Sequence, residues 1–454
     1  MNLKLHDTLS RRVKVFKPLK PGQVKLYTCG PTVYDYMHIG NLRTFVFYDT
    51  LHRTLAATGY DVKHVMNITD VGHLVSDADE GEDKLEKGAA RAGQTVWQVA
   101  EHFTKAFHHD LKQLNIVEPE IVGATEFIEG QIAMVQILLD KDYAYQTEQA
   151  IYFDVSKLTS YGELTGQKLA DKEVGARHEV VTDANKRHPQ DFAVWFFTTG
   201  KYADHTMRWP SPWGEGFPGW HLECSAIIHQ TLSEPIDIHA GGVDLIGTHH
   251  TNEMAQTEAS YGVKLADYWL HAEHLLVEGQ KMSKSLGNFF TLKDVIKKGY
   301  DPLAIRLLYL QAHYRSQMNF TWDSLAAAAA ALQNLRAWAD RVHQLKAGPT
   351  NELLAKIKAS LADDLNTAHA LALLSDFSAE QPPSRRLLER LDELFGLALA
   401  GRPGITAAQK ELIKKREAAR TAKDWTAADQ LRGELAKAGL EINDTDDGPL
   451  WHRL

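Results

Sequence analysis

At 454 residues the chain is too long for one ordinary domain, and two to four are expected. A hydrophobic share of 44% and a charged share of 24% describe a soluble globular protein, with no membrane-length apolar run and no secretory h-region. The formal net charge of −9 argues against indiscriminate nucleic-acid binding but leaves room for a local basic surface.

An apolar run over 24–28 reads as a strand and leads to the box His38-Ile39-Gly40-Asn41. Phe47, Leu51 and Leu55 then recur at helical spacing, Gly59 supplies a stop, and 62–68 reads as a second strand, which makes a βαβ unit. A helix start offers N–H groups and positive dipole to an anion, and Gly40 lets a nucleotide approach the backbone. The acidic run over 76–83 reads as a solvated loop rather than a metal site. Mixed helix and strand signals fill 115–212, including a strand-like stretch over 150–155. His249 and Glu253 stand at i and i+4 on an expected helix with Thr248 as N-cap, so both side chains leave one face. The second box, Lys281-Met282-Ser283-Lys284-Ser285, puts two ammonium groups on a loop flanked by Gly279 and Gly287, able to cover phosphates. Helical signals begin at Asp301-Pro302, and the alanine run over 326–331 reads as close helix packing. A linker is expected near 401–404, followed by a small unit rich in cations and indole rings.

The chain holds two cysteines, Cys29 and Cys224, a usage that fits a reduced, cytoplasmic enzyme. Two buried, inert thiols are the plain reading. Two thiolates, one imidazole and one carboxylate would make a borderline-soft tetrahedral site suited to zinc, if the four converge.

The two boxes, in this order, resemble the signature pair of class I aminoacyl-tRNA synthetases. A finer resemblance, to cysteinyl-tRNA synthetases, runs over essentially the whole chain. It is carried by residues 27–35, by Gly219-Trp220-His221-Leu222-Glu223-Cys224-Ser225, by residues 239–245, and by His249-His250-Thr251-Asn252-Glu253. The resemblance implies a Rossmann-like parallel-sheet α/β catalytic domain split by an insertion, then an α-helical bundle and a small C-terminal anticodon-binding domain. The expected spans are 1–114 and 213–300 for the two catalytic halves, 115–212 for the insertion, 301–400 for the bundle and 401–454 for the tail.

The same resemblance assigns Cys29, Cys224, His249 and Glu253 to one zinc ion per chain, which would capture the substrate thiol. It gives His38, Lys281 and Lys284 to the transition state of adenylate formation, and Gly40, Asn41, Asp244 and Lys284 to ATP, bound as MgATP. Trp220, His239 and Thr69 become contacts of the substrate cysteine. Arg420, Trp425, Arg432, Trp451 and Arg453 become candidate tRNA contacts, since cations serve phosphates and indole planes stack on unpaired bases. The expected partners are L-cysteine, ATP and tRNA(Cys), with no membrane, for a monomer in the cytoplasm. Asn41 stands where the family usually has a second histidine; it can donate a hydrogen bond but never carry positive charge. Two other readings stay open: a cysteine-activating ligase for a small amine, of the mycothiol type, and a non-catalytic tRNA-binding paralogue.

Overall fold

The computed structural model describes residues 2–71, 74–76, 80–166, 185–283, 286–445 and 448–454. An N-terminal hairpin, β1 (Lys4–Asp7) and β2 (Arg12–Val15), leads into β3 (Gln23–Thr28), α1 (Ile39–Ala57) and β4 (Asp61–Ile68). These last three are the expected βαβ unit, each strand one residue longer than its apolar run. Strands β5 (Leu74–Ser76) and β6 (Glu80–Asp83) pair antiparallel, so the described part of the acidic run is a hairpin, not a loop. Leu74 and Val75 just ahead of the run supply its partner strand; residues 77–79 lie outside the described set.

Helices α2 (Lys84–Ala92) and α3 (Val96–Gln113) precede β7 (Glu120–Gly123), which pairs parallel with β4. The boundary expected at 114/115 therefore falls one strand early: a strand this short gives little apolar signal, and its pairing partner lies far back in sequence. Helix α4 (Ile128–Asp140) leads to the inserted unit. There β8 (Ala144–Gln146), β9 (Ala150–Phe153), β10 (Phe192–Phe197) and β11 (Gly216–Pro218) form an antiparallel sheet in the order β11-β10-β9-β8. Strand β11 lies past the expected end at 212, held to the insertion by pairing with β10.

The parallel sheet resumes with α5 (Trp220–Thr231), β12 (Ile236–Gly242), α6 (His249–Tyr261) and β13 (Ala266–Ala272). Its order is β13-β12-β3-β4-β7, with every pair parallel. From β3 the chain builds outward through β4 and β7, then returns to lay β12 and β13 on the other side. The winding thus reverses between β3 and β12, and in open parallel sheets ligands bind at the carboxyl ends beside such a reversal.

Beyond the sheet, β14 (Leu275–Val277) and β15 (Gln280–Lys281) form a hairpin, followed by α7 (Leu292–Lys297) and α8 (Pro302–Leu310). Strand β16 (Met318–Phe320) returns parallel to β14. The bundle comprises α9 (Trp322–Asp340), α10 (Asn351–Leu361), α11 (Thr367–Glu380) and α12 (Arg385–Phe395). Of the alanine run in α9 only Ala328 is buried; the others are partly or fully exposed, so the run serves helix propensity more than packing. Helices α13 (Ala407–Thr421) and α14 (Trp425–Lys437) and the hairpin β17 (Leu440–Thr445) and β18 (Gly448–Arg453) complete the chain. Among the described residues no helix is long and apolar enough to cross a membrane.

A buried ion cluster fixes α1 to the bundle. Arg306 on α8 is fully buried; it pairs with Asp49 on α1 and donates to the carbonyls of Phe395 (2.7 Å) and Leu114 (2.8 Å). Arg53 adds a second cation to Asp49 at 2.7 Å. Nearer its start, α1 is held by Arg43, whose guanidinium donates to the carbonyls of Glu273, His274, His313 and Ser316.

Candidate functional site

The first turn of α1 is closed by its own signature residues. His38 is the N-cap: its Nδ1 accepts from the backbone N–H of Asn41 at 3.0 Å, and Asn41 Oδ1 accepts from the His38 N–H at 3.3 Å. Asn41 thus completes a capping box, a local task that needs no positive charge. An imidazole that accepts through Nδ1 carries its proton on Nε2, so neutral His38 is a donor on its other side. Gly40 is closely packed here as well. A Cβ at this position would lie 3.0 Å from His38 Cε1 and 3.3 Å from Met282 Cε.

Cys29 follows β3 and Trp220 opens α5, while His249 and Glu253 sit on the first turns of α6, all beside the reversal between β3 and β12. Ligand atoms of Cys29, Cys224, His249 and Glu253 lie within 4.8 Å of one another, and all four residues are buried. Both cysteines are free thiols. His249 Nε2 is 3.1 Å from Glu253 Oε1, and Cys29 Sγ is 3.9 Å from the same oxygen. His249 Nδ1 meets His221 Nδ1 at 3.0 Å; a neutral His221 that accepts there fixes the His249 proton on Nδ1 and leaves the Nε2 lone pair on the side of Glu253. Burial, and then the neighbouring Cys224 and Glu253, push the Cys29 thiol up, and burial raises the Glu253 carboxyl and the Cys224 thiol as well. Burial thus opposes the charged forms of both thiols and the carboxyl, whereas a divalent cation would favour them. Two sulfurs, one nitrogen and one oxygen are a donor set that fits zinc. A second set shares two of its members, Cys29 and Glu253, with His239 and His250.

Cys29, His38, Asn41, Trp220, Asp244 and Phe289 line one cavity of about 290 Å³ at this edge of the sheet. His239 and Thr69, expected beside the substrate, are both buried and are not among the residues that line this cavity. His239 is fully buried, its Nε2 2.8 Å from Glu253 Oε2 and its ring stacked on Trp269. Thr69 Oγ1 donates to Glu223 Oε2 at 2.7 Å and accepts from Asn67 Nδ2 at 3.2 Å.

Residues 15–330 match the class I (C) tRNA synthetase catalytic domain, and residues 402–451 match the cysteinyl-tRNA ligase anticodon-binding domain. A Cysteine–tRNA ligase 1 of Burkholderia lata is 45% identical over 99% of this chain and 96% of its own length. The chain belongs to the cysteine–tRNA ligase family. A Cysteine–tRNA ligase of Treponema denticola is 40% identical over the full length of both chains. In fold the chain is similar to a LeuRS–tRNA–LeuAMS complex from Agrobacterium radiobacter K84 (TM-score 0.61, 12% identity, 86% of each chain). It is also similar to a Mycobacterium tuberculosis methionyl-tRNA synthetase with methionyl-adenylate (TM-score 0.56, 15% identity, 83% of this chain and 88% of that one).

In this family member the lysine loop follows directly on β15. Lys281 is exposed, whereas Lys284 lies outside the described residues. Asn288, which the sequence reading missed, clips the loop: its Oδ1 accepts from Ser283 N–H at 2.8 Å and its Nδ2 donates to the Lys281 carbonyl at 3.2 Å. Next to it, the Phe289 ring meets His38 edge-on at 5.2 Å, and the Phe290 carbonyl accepts from Ile39 N–H at 2.8 Å. The signal available was an asparagine after Gly287 in a turn that must close.

The candidate tRNA contacts divide. Trp425 is 57% exposed, with the Arg420 guanidinium 5.8 Å from its ring. Arg432 donates to the Ile442 carbonyl at 3.3 Å. Trp451, by contrast, is buried in the tail's core with Leu435, Leu440 and Ile442, its ring stacked on His343. Arg453 donates to the carbonyls of Pro403 and Gly404 and lies 3.6 Å from Asp340, which latches the tail to α9.

Proposed function

We propose that the cavity at the N-terminus of α1 joins L-cysteine to ATP and that the cysteinyl group then passes to tRNA(Cys). The observation that carries the reading is the double membership of Cys29: it is one of the four metal-donor residues and part of the cavity wall shared with His38 and Asp244. In the first step a carboxylate oxygen of cysteine attacks the α-phosphorus of ATP, the bond to the bridging oxygen breaks, and pyrophosphate leaves. In the second, a ribose hydroxyl of the tRNA terminus attacks the carbonyl carbon and AMP leaves.

Positioning and charge stabilisation dominate such chemistry. His38 Nε2–H donates to a phosphate oxygen as negative charge grows there, and the α1 N-terminus adds its dipole. Lys281 and Lys284 bring ammonium groups over the phosphates, with magnesium entering as MgATP. Asp244 accepts from ribose hydroxyls. Trp220, its ring 4.2 Å from that of His249, walls the substrate side chain. Thr69 and His239, held by Glu223 and Glu253, are assigned with it to the substrate cysteine. Cys29, Cys224, His249 and Glu253 would hold one zinc ion per chain, which would supply a borderline-soft Lewis acid that favours a thiolate over the hydroxyl of serine. A hydrophobic pocket alone separates such near-isosteres weakly.

We assign base stacking to Trp425 and phosphate contact to Arg420. The protein is read as a monomer of the cytoplasm, a compartment that keeps its two thiols reduced. The test is pyrophosphate exchange with cysteine and with serine, beside charging of total tRNA with labelled cysteine. Exchange specific to cysteine together with charging is the expected result. Exchange without charging would move the acyl acceptor to a small amine, and neither activity would leave a tRNA-binding paralogue.

A further inference from the structure

A second hollow, of about 560 Å³, lies at the other end of α1, between that helix and the bundle helices α10 and α12. At 1.5 Å per residue, His52 on its wall stands roughly 20 Å along the helix from Ile39, well away from the reaction cavity. Helical spacing builds the wall. Arg386, Arg390 and Leu394 follow one another at i+4 on α12, and Leu354 and Lys358 do so on α10. Each helix thus offers an apolar floor residue and a cation.

The charges in this hollow run against the chain's net −9. Arg53 is spent on Asp49 and on the carbonyls of Asn115 and Asp392, and Arg390 pairs with Glu393, the one carboxylate of the lining. Among the described residues Lys358 holds only a long contact, 3.4 Å, to the Ala57 carbonyl. Arg386 is exposed and makes no hydrogen bond or ion pair among the described residues. Two cations are therefore uncompensated. A further donor comes from the backbone: α10 starts at the hollow with Thr350 as N-cap, and no side chain caps its first N–H groups. The hollow is bordered by the uncapped start of α10 and by the last turns of α1 and α12, but its four cations outnumber its one carboxylate, and spare cations beside N–H donors are the chemistry of phosphate binding. The volume falls in the range of small-ligand sites.

We propose that this hollow binds a small phosphorylated anion, with Lys358, Arg386 and the α10 N-terminus taking the phosphates and Leu354 and Leu394 flooring the rest. The site is separate from the substrate cavity and does not depend on the reading of that cavity. Its test is calorimetric titration of the full chain with inorganic pyrophosphate and with GDP, on wild type and on the variant Lys358→Ala/Arg386→Ala. Both side chains lie at the surface, and an unchanged KM for ATP in exchange would show that the reaction cavity is intact in the variant. Saturable binding of either probe that weakens at least tenfold in the double variant is the expected result. GDP tighter than pyrophosphate would assign an esterified ligand, and equal affinity a free one. The proposal is overturned if neither probe saturates at several millimolar, or if wild type and variant bind alike. It is also overturned if the variant only raises the KM for tRNA, which would make the hollow part of the tRNA path. Charge-preserving Lys358→Arg/Arg386→Lys should restore most of the binding.

Discussion

Asp49→Asn tests whether the clamp between α1 and the bundle is a structural necessity. The carboxylate accepts from Arg306, from Arg53 Nε at 2.7 Å and from Val117 N–H at 2.8 Å. The amide keeps one oxygen acceptor and turns N–H groups toward a guanidinium. Arg306, with no exposed surface, would then hold its charge against carbonyls alone. Removing one partner of a buried pair costs roughly 3–5 kcal/mol. At about 2 °C per kcal/mol for a domain of this size, the melting temperature should fall by roughly 6–10 °C at pH 7. The pH dependence has a definite sign. Burial alone would raise the Asp49 carboxyl, but the charges of Arg306 and Arg53 outweigh it and hold it below the usual carboxylate range. A depressed folded-state pKa gives stability that is present above the unfolded value near 4 and is lost as the pH falls through the folded one. The gap between wild type and variant should therefore be full at pH 7 and narrow below about pH 4. Scanning calorimetry at one scan rate across that range measures it. A drop under about 2 °C at pH 7, or a gap that stays constant into acid, would refute the argument.

Gly40→Ala should crowd the His38 imidazole and Met282 and slow cysteine-dependent exchange about tenfold, near 1.4 kcal/mol, with little change in melting temperature. An unchanged kcat would mean that the capping geometry does not set the rate. Cys224→Ser should lower zinc from about one ion per chain to well below it and raise the KM for cysteine; undiminished zinc by mass spectrometry would break the four-donor assignment. Asp110, near the end of α3, has its carboxyl pushed up to about 7 by burial. A raised folded-state pKa means stability that is full below about pH 4 and lost as the pH rises through 7. Asp110→Asn should thus stabilise the chain at pH 8, by one to a few kcal/mol on the order of 1.4 per unit, and change nothing at pH 4. Equal melting temperatures at pH 8 would show that the carboxylate is solvated there.

What could be read beforehand was whatever repeats locally. The run over 24–28, the spacing of Phe47, Leu51 and Leu55, and the stop at Gly59 give β3, α1 and β4 nearly residue by residue. His249 and Glu253 were legible as one helix face for the same reason. Their convergence with Cys29 and Cys224 came from the resemblance alone, since no local period encodes it. Contacts across the chain stayed silent: Arg306 and Asp49 meet over 257 positions, and β7 joins its sheet only through β4. Trp451 and Arg453 have the composition of a nucleic-acid surface, but their neighbours Leu440, Ile442 and Asp340 turn them to core and latch. Thr69 and His239 are held by Glu223 and Glu253, partners 154 and 14 positions away that no spacing reports.

The four donors are far apart in time as well as in sequence. Cys29 lies 224 residues ahead of Glu253, an interval of about 10–45 s at ordinary rates of ribosomal synthesis. For that long the Cys29 thiol is made but has no pocket, since the helices that bury it have yet to be synthesised. Oxidation during this interval would strike the nascent chain at a residue that the finished protein leaves only 7% exposed, on the wall of its cavity, and the damage would be carried into the folded site. An oxidant pulse should accordingly cost more active enzyme when given during translation than when given to the completed chain.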